Sequence, residues 1–400
     1  MKIGFDGRFI RRGHSGDGVF SRQMLRGLAR LDTANSYTVY LLEDDPFIPQ
    51  DNFHFKLMPR LHRNSYFRFL LGFPVELSRN PVDIFHAVHT VPLRTGARVV
   101  LHLVEFGWIL NPGDFPASRF FLSQLKHITR RSVRMADRII TATGYWKDRI
   151  LEHFGVPEEK VVVIPHGIDE RFLERCSSDE IDGVKRAFGI EGEYILSVGD
   201  LHPRKNLVRL IGAFDWMKST RGIPHKLVIA GKALYEAGQI YERAAACRAK
   251  DDIVFIGYIG FEHLRALYQG AAVFAFPSLD EGFGLPVHEA MASRLPVVIS
   301  DRGSLPEISG GAAATADPLD IESIGSAVLR IIEDPLERQR LVEKGLDQIK
   351  RFTWNDSCKQ ILDLYACLGK TGGVISRTEK RKARAGAEGQ AVKTGTAHGR

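Results

Sequence analysis

The chain has 400 residues, 44% of them hydrophobic and 10% aromatic, which suits a globular protein of two domains with a real core. Four scattered cysteines (Cys176, Cys247, Cys358, Cys367), with no C-x-x-C and no His/Cys cluster, exclude a disulfide scaffold and a zinc-type site and fit reduced thiols in a cytoplasmic protein. The net charge of +7 is uneven, because residues 371–400 hold seven Lys/Arg against two Asp/Glu and the rest of the chain is only +2.

The opening MKIGFDGRF reads as a strand without an apolar leader, so no signal peptide is expected. No apolar run approaches the ~20 residues that span a bilayer. Strand-like runs then alternate with helical patterns: YTVYLL, VDIFHAV, RVVLHLV, RIITAT and VVVIP in the first half, YILSVG, HKLVIAG, DIVFIG, VFAFPS and PVVIS in the second. Such alternation predicts an α/β architecture of doubly wound parallel sheets, and the strands are too many for one sheet.

After the first strand, GRFIRRGHSGDGVFSRQMLRGLARL sets Gly13, Gly16 and Gly18 ahead of a helix predicted from about Val19. Ser21 stands where G-x-G-x-x-G would need its third glycine, so a dehydrogenase is disfavoured; the turn suits a phosphate or an acceptor group. Residues 59–77 mix Arg60, Arg63 and Arg68 with Phe67, Phe69, Leu70, Leu71 and Phe73, and residues 118–138 read as a long basic helix. Basic and apolar residues together suit a peripheral face on an anionic membrane; the alternative is apolar core beneath a solvated basic surface. The polar, strand-poor run 168–190 marks the join between domains, with a linker expected over 171–191.

In the second half, YILSVGDLHPRKNLVRLIGAF (194–214) reads as strand, loop and helix with Asn206 as N-cap. Arg204 and Lys205 just before it suit a diphosphate, the first by forked donors and the second as a point charge. VFAFPS (273–278) reads as a buried strand, LDEGFG as a turn and LPVHEAMAS as a helix with Pro286 in its first turn. Gly282, Phe283, Gly284 and Leu285 thus offer free N–H groups at a helix N-terminus, which attracts phosphate. Glu281 and Glu289 bracket this turn; carboxylates accept paired hydroxyl donors, so the element fits a nucleotide diphosphate sugar. The competing reading makes both glutamates surface acids favouring the helix dipole. Residues 352–368 have helical apolar spacing, and the tail 371–400 reads as a solvated, disordered segment or one that meets anionic lipid or nucleic acid. There is no D-x-D and no H-E-x-x-H, so nothing calls for a metal.

These motifs (SGDGVFSRQML, VVVIPHGID, VGDLHPRKNL, LVIAG, the run from IVFIGYIG to FAFPS, and EGFGLPVHEAMASRLPVVISDRGSLPEI) together resemble the retaining glycosyltransferases of family 4, of GT-B fold and bacterial mannosyltransferase type, over about residues 1–368. The resemblance implies two Rossmann-like lobes facing a cleft: an acceptor-binding lobe over 1–170, a nucleotide-sugar lobe over 192–350, and a last helix near 352–368 returning to the first lobe. It implies that Glu289 binds the ribose, that Glu281 contacts the transferred sugar, and that Arg204 and Lys205 clamp the diphosphate. Gly16 resembles the glycine facing the donor phosphate, with Gly18 in the same turn, and Tyr258 and Ile259 stand where the base is often met. His102 matches a histidine near the donor sugar, but Leu103 replaces the usual Asp after it, with Glu105 two residues on. The implied reaction is metal-independent retaining transfer of a hexose from a GDP- or UDP-sugar to a saccharide or lipid-linked acceptor in cell-surface polysaccharide synthesis, at or near the inner membrane. No cofactor and no nucleic-acid partner are expected. A nucleotide-sugar epimerase of the same fold, or a non-catalytic sensor or assembly subunit, are the rival readings.

Overall fold

The computed structural model describes residues 1–10, 16–110, 118–234 and 237–370. Runs rich in Val, Ile, Leu and Phe form strands buried on both faces, the pattern that parallel sheets covered by helices require. One sheet contains β1 (Lys2–Asp6), β2 (Ser36–Leu41), β3 (Phe53–Leu57), β4 (Ile84–Val88), β5 (Arg98–His102), β6 (Arg138–Thr141) and β7 (Val161–Val163), in the order β3-β2-β1-β4-β5-β6-β7. The other contains β8 (Tyr194–Val198), β9 (Lys226–Ala230), β10 (Ile253–Gly257), β11 (Val273–Phe276), β12 (Val297–Ser300) and β13 (Ala314–Ala316), in the order β10-β9-β8-β11-β12-β13. Every pairing is parallel, with Ile3 opposite Tyr37 and Ile195 opposite Leu227.

Two strands escape the sequence reading. β3 (FHFKL) lies at a sheet edge and buries only Phe53 fully, and β13 is three small residues, Ala-Thr-Ala, with no apolar bulk to announce it. The first helix is Gly16–Leu31, starting three residues before the expected Val19. The segment 171–191 is more than a connector. It holds a short 3-10 turn and the helix Ser178–Ala187, opened by a Ser177/Glu180 capping box, and Val184 and Ile190 join the second lobe's core.

The chain crosses between the lobes at 164–172 and again at 349–354, and the crossings pair with each other. The Ile168 N–H donates to Phe352 O at 2.9 Å, and Ser357 Oγ donates to Pro165 O at 2.6 Å. The helix Trp354–Lys370 then lies against Gly16–Leu31, where Cys358, Ile361, Tyr365 and Leu368 enter the first lobe's core beside Met24 and Leu28. The approach is close enough that a Cβ on Gly27 would stand 2.6 Å from Cys358 Sγ. The tail 371–400 lies outside the described residues.

Candidate active site

Each sheet reverses its strand order once, between β1 and β4 and between β8 and β11. At such a point the connections leave in opposite directions and open a crevice beyond the C-terminal ends of the strands. In the second lobe, the loops after β8 and β11 meet in that crevice, tied by the Leu279 N–H donating to Arg204 O at 2.9 Å.

Asn206 fixes the basic loop, though not by the capping expected of it. Its backbone is left-handed, at φ 58°, and its side chain makes no cap. That backbone turns the amide towards the loops after β11 and β13, where Nδ2 donates to Pro277 O at 3.0 Å and to Pro318 O at 2.6 Å. Arg204 and Lys205, in the Pro203–Lys205 turn, are thereby set against Glu281. Lys205 Nζ lies 2.6 Å from Glu281 Oε1, and Arg204 Nη1 lies 3.8 Å from Glu281 Oε2. Burial opposes ionisation of Glu281, but Lys205 and then Arg204 outweigh it and hold the carboxyl below its ordinary value. Asp280 goes the other way: burial, then the Glu105 charge, push it up to about 7 against the pull of Arg204.

The glycine turn is built for its backbone. Gly284 has φ 84°, and a Cβ there would lie 2.9 Å from Leu305 and 3.0 Å from Ile308, so glycine is required twice over. It leads into the helix Leu285–Ala292, with Pro286 in the first turn. Phe283 is buried among His166, His288 and Phe352 and anchors the turn, and Leu285 is partly buried against the core. Their side chains are committed to packing, so their N–H groups are what they can offer an anion. Glu289, on the next turn, is partly exposed, and its Oε2 accepts from the Tyr268 hydroxyl at 2.9 Å. Burial pushes the Glu289 carboxyl up to about 7.

The other expected positions separate. Tyr258 is exposed, with Lys232 Nζ 4.6 Å over its ring, whereas Ile259 is 8% exposed and joins the core, so only Tyr258 can present a side chain to a ligand. Gly16 opens its helix with nothing within 4 Å of where a Cβ would lie; Gly18 is buried in the first turn, and Gly13 lies outside the described residues. His102 sits among aromatic rings. It is 1% exposed, enclosed by Phe20, His86 and His166, with its Nε2 3.4 Å from that of His166. Burial, then the neighbouring imidazoles, keep it well below its ordinary pKa and hence neutral. Leu103 is fully buried, while Glu105 reaches the cluster, its Oε2 2.5 Å from Arg204 Nη1.

Four participants were not singled out from the sequence. Tyr268 sits in FEHLRALYQ, whose apolar spacing marks it as core. Trp146, from the first lobe, donates Nε1–H to Glu281 O at 2.8 Å, and Ser304 Oγ donates to the same carbonyl at 2.7 Å. Glu307, from the second lobe, accepts from the Gly144 and Tyr145 N–H groups at 2.7 and 2.8 Å, at the N-terminus of the helix Gly144–Phe154. Nothing local in the sequence pairs such distant residues. Among the described residues, no group of three or more His, Cys, Asp or Glu is placed to hold a metal ion.

Comparison with known proteins agrees with this two-lobe architecture. The sequence model described as Glycosyltransferase Family 4 matches residues 15–172, and that described as Glycosyl transferases group 1 matches residues 180–348. The chain is 29% identical over 237 residues to O-antigen chain mannosyltransferase B of Escherichia coli, covering 59% of this chain and 62% of that protein. It thus spans less than two thirds of the length of the curated relatives it matches. Among solved structures, sucrose-phosphate synthase from Thermosynechococcus elongatus superposes with a TM-score of 0.75 at 18% identity, over 93% of this chain and all of that one. Anabaena HepE in complex with UDP-glucose superposes with a TM-score of 0.72 at 18% identity, over 92% of this chain and all of that one. Two parallel α/β lobes, each matched by its own family model and superposed together on whole enzymes of this kind, place the chain in the family 4, group 1 glycosyltransferases of GT-B fold.

Proposed function

We propose that this chain transfers a hexose, mannose or glucose, with retention of configuration from a GDP- or UDP-sugar to a saccharide or lipid-linked saccharide during cell-surface polysaccharide synthesis. The observation that carries the reading is the junction of Arg204, Lys205 and Glu281 with the Gly282–Leu285 turn in the β8/β11 crevice. Cations, free amides and a held carboxylate meet there, as a diphosphate joined to a sugar requires. The first lobe would hold the acceptor.

In this reading Arg204, Lys205 and the turn's N–H groups take up the charge that develops on the departing diphosphate. That charge is neutralised by protein groups, so transfer should persist in EDTA. Glu281 accepts from hydroxyls of the transferred sugar and Glu289 from those of the ribose, with Gly16 and Gly18 beside the phosphates and Tyr258 at the base. The acceptor attacks the face that the diphosphate leaves, and a phosphate oxygen takes its proton. His102, buried as it is, would act by supporting this wall of the cleft. The name of the Escherichia coli relative, an O-antigen chain mannosyltransferase, supports mannose and an O-antigen-type product; the UDP-glucose in the Anabaena structure supports a nucleotide sugar as donor.

The apolar and basic residues of 59–77 and 118–138 divide between core and surface. Arg68 and Phe73 are buried, while Leu61, Leu70, Leu71, Phe120 and Phe121 are exposed beside exposed Arg60, Arg63, Arg119 and Arg130. A bond between the Tyr66 hydroxyl and Gln124 Oε1 joins the two segments into one patch. The patch supports peripheral work at the cytoplasmic face of a membrane and a lipid-linked acceptor. No helix among the described residues is long and apolar enough to cross a bilayer.

The test is thermal melting with GDP, UDP and ADP, followed by transfer assays with the matching nucleotide sugar and NMR of the product anomer. Ligand that binds the folded state raises Tm by mass action. The reading expects a rise with one nucleotide, abolished in Lys205→Ala, and a retained anomer. Wild-type protein indifferent to all three at millimolar concentration would sink it.

A further inference from the structure

Arg204 is already satisfied before any donor arrives, and by a residue of the opposite lobe. Glu105 stands three residues beyond β5, and its Oε2 lies 2.5 Å from Arg204 Nη1. The same oxygen overhangs the glycine turn: a Cβ on Gly282 would lie 3.1 Å from Glu105 Oε2 and 2.6 Å from Val104 Cγ1. One carboxylate therefore fills the space between the guanidinium and the turn, the two parts of the diphosphate cradle. Carboxylate and phosphate compete for such a fork because both present paired acceptor oxygens to it.

The cluster holds more acid than its cations can match. Glu105, Asp280 and Glu281 face Arg204 and Lys205, and Lys205 is taken by Glu281 at 2.6 Å. Glu281 cannot easily leave, since its side chain is 7% exposed and paired with Lys205, and its backbone carbonyl is held by Trp146 and Ser304. Glu105 can: its carboxylate is 23% exposed, and among the described residues Arg204 is the hydrogen-bond partner that holds it. It is the carboxylate that an incoming anion can displace most readily.

We propose that Glu105 is an internal occupant of the donor's diphosphate subsite, neutralising Arg204 across the cleft until the diphosphate takes its place. This rests on the reading of Arg204 as a diphosphate clamp. Glu105 is then a competitor rather than a catalytic residue, and it serves selectivity. A bare phosphate must displace it unaided, whereas a nucleotide adds the ribose and base contacts that make displacement favourable.

The experiment is calorimetric titration of the full-length protein with GDP, UDP and pyrophosphate, comparing wild type with Glu105→Gln, Glu105→Asp and Arg204→Gln. Glu105→Gln should bind the matching nucleoside diphosphate about tenfold tighter, the change expected when the ligand no longer breaks a charge-assisted contact. It should also bind pyrophosphate measurably where wild type does not. Glu105→Asp keeps the charge but loses reach, so it too should bind tighter; if it matches wild type while Glu105→Gln tightens, general repulsion rather than occupancy is at work and the proposal fails. Unchanged or weaker binding in Glu105→Gln overturns it outright. Arg204→Gln separates the two levels. If that variant loses nucleotide binding while Glu105→Gln is unaltered, only the role of Glu105 falls; if it binds as wild type does, the clamp reading falls with it.

Discussion

Glu289 is a carboxyl held near neutrality in a protein that is proposed to need it charged. Burial raises it to about 7, and among the described residues its hydrogen bond comes from the Tyr268 hydroxyl. Ribose hydroxyls donating to it favour the ionised form, so binding should release a proton. Affinity for the matching nucleoside diphosphate is therefore expected to climb between pH 6 and 8 and then level off, and Glu289→Gln should bind more weakly by roughly 2 kcal/mol with no such climb. The same shift has a stability consequence of opposite sign. An unfolded glutamate titrates about 2–3 units lower, so the proton held in the folded state favours folding below pH ~4.5, and that advantage is lost as pH rises through 7. Glu289→Gln, a fixed copy of the protonated form, should thus melt higher than wild type at pH 8, by roughly 2 kcal/mol, with a smaller gap at pH 5. Melting curves at both values test this; a variant no more stable at pH 8 would show that the carboxyl is not strained by its surroundings.

At the scale of elements, the lobes are joined by two kinds of contact with different expected sensitivities. The crossing point is steric. A Cβ on Gly167 would fall 2.1 Å from Trp354 N, a backbone atom fixed by the neighbouring Ile168–Phe352 pairing. Backbone cannot step aside as a side chain can, so Gly167→Ala should cost about 3 kcal/mol or more and lower Tm in a thermal scan. A variant melting like wild type would mean the crossings are looser than they stand. The contact at Glu307 is electrostatic. Its carboxylate caps a helix of the other lobe at the end where the dipole is positive. Glu307→Ala should cost only about 1 kcal/mol but should free the lobes, increasing the radius of gyration of the ligand-free protein in X-ray scattering. No expansion would show that Glu307 does not hold the lobes together, and would leave that to the Trp146–Glu281 bond and the Glu105–Arg204 pair.

At the scale of the whole molecule, the sequence discloses what is local and hides what is assembled. The strand–turn–helix runs at 194–214 and 273–292 read correctly because apolar runs, glycines and a first-turn proline each act within a few residues. Glu105 on Arg204, Trp146 on Glu281 and Tyr268 on Glu289 stay hidden, because their partners are brought together only by folding. The exposed patch is a further case: spacing could not decide whether Leu71 and Phe120 were core or surface, and the structure exposes both. The helix Arg119–Met135 follows β5 in the chain, and Phe69 O accepts from the Leu93 N–H in the loop after β4, which ties the patch to the loops that follow the first sheet's central strands. A membrane bound there would deliver a lipid-linked acceptor to the first lobe without its leaving the bilayer. The full-length protein is therefore expected to sediment with phosphatidylglycerol vesicles, less with neutral ones, and progressively less as salt is raised. Leu71→Asp and Phe120→Asp should each weaken vesicle binding tenfold or more, since each removes an exposed apolar side chain whose insertion into the bilayer would be worth roughly 1.5–3 kcal/mol and adds a charge of the wrong sign. The basic stretch 371–400 is intact in both variants, so attraction through it would persist, and a loss would trace to the patch. Vesicle binding that is strong in wild type and unchanged in both variants would assign the attraction to that stretch instead, and would separate the cleft from the membrane surface.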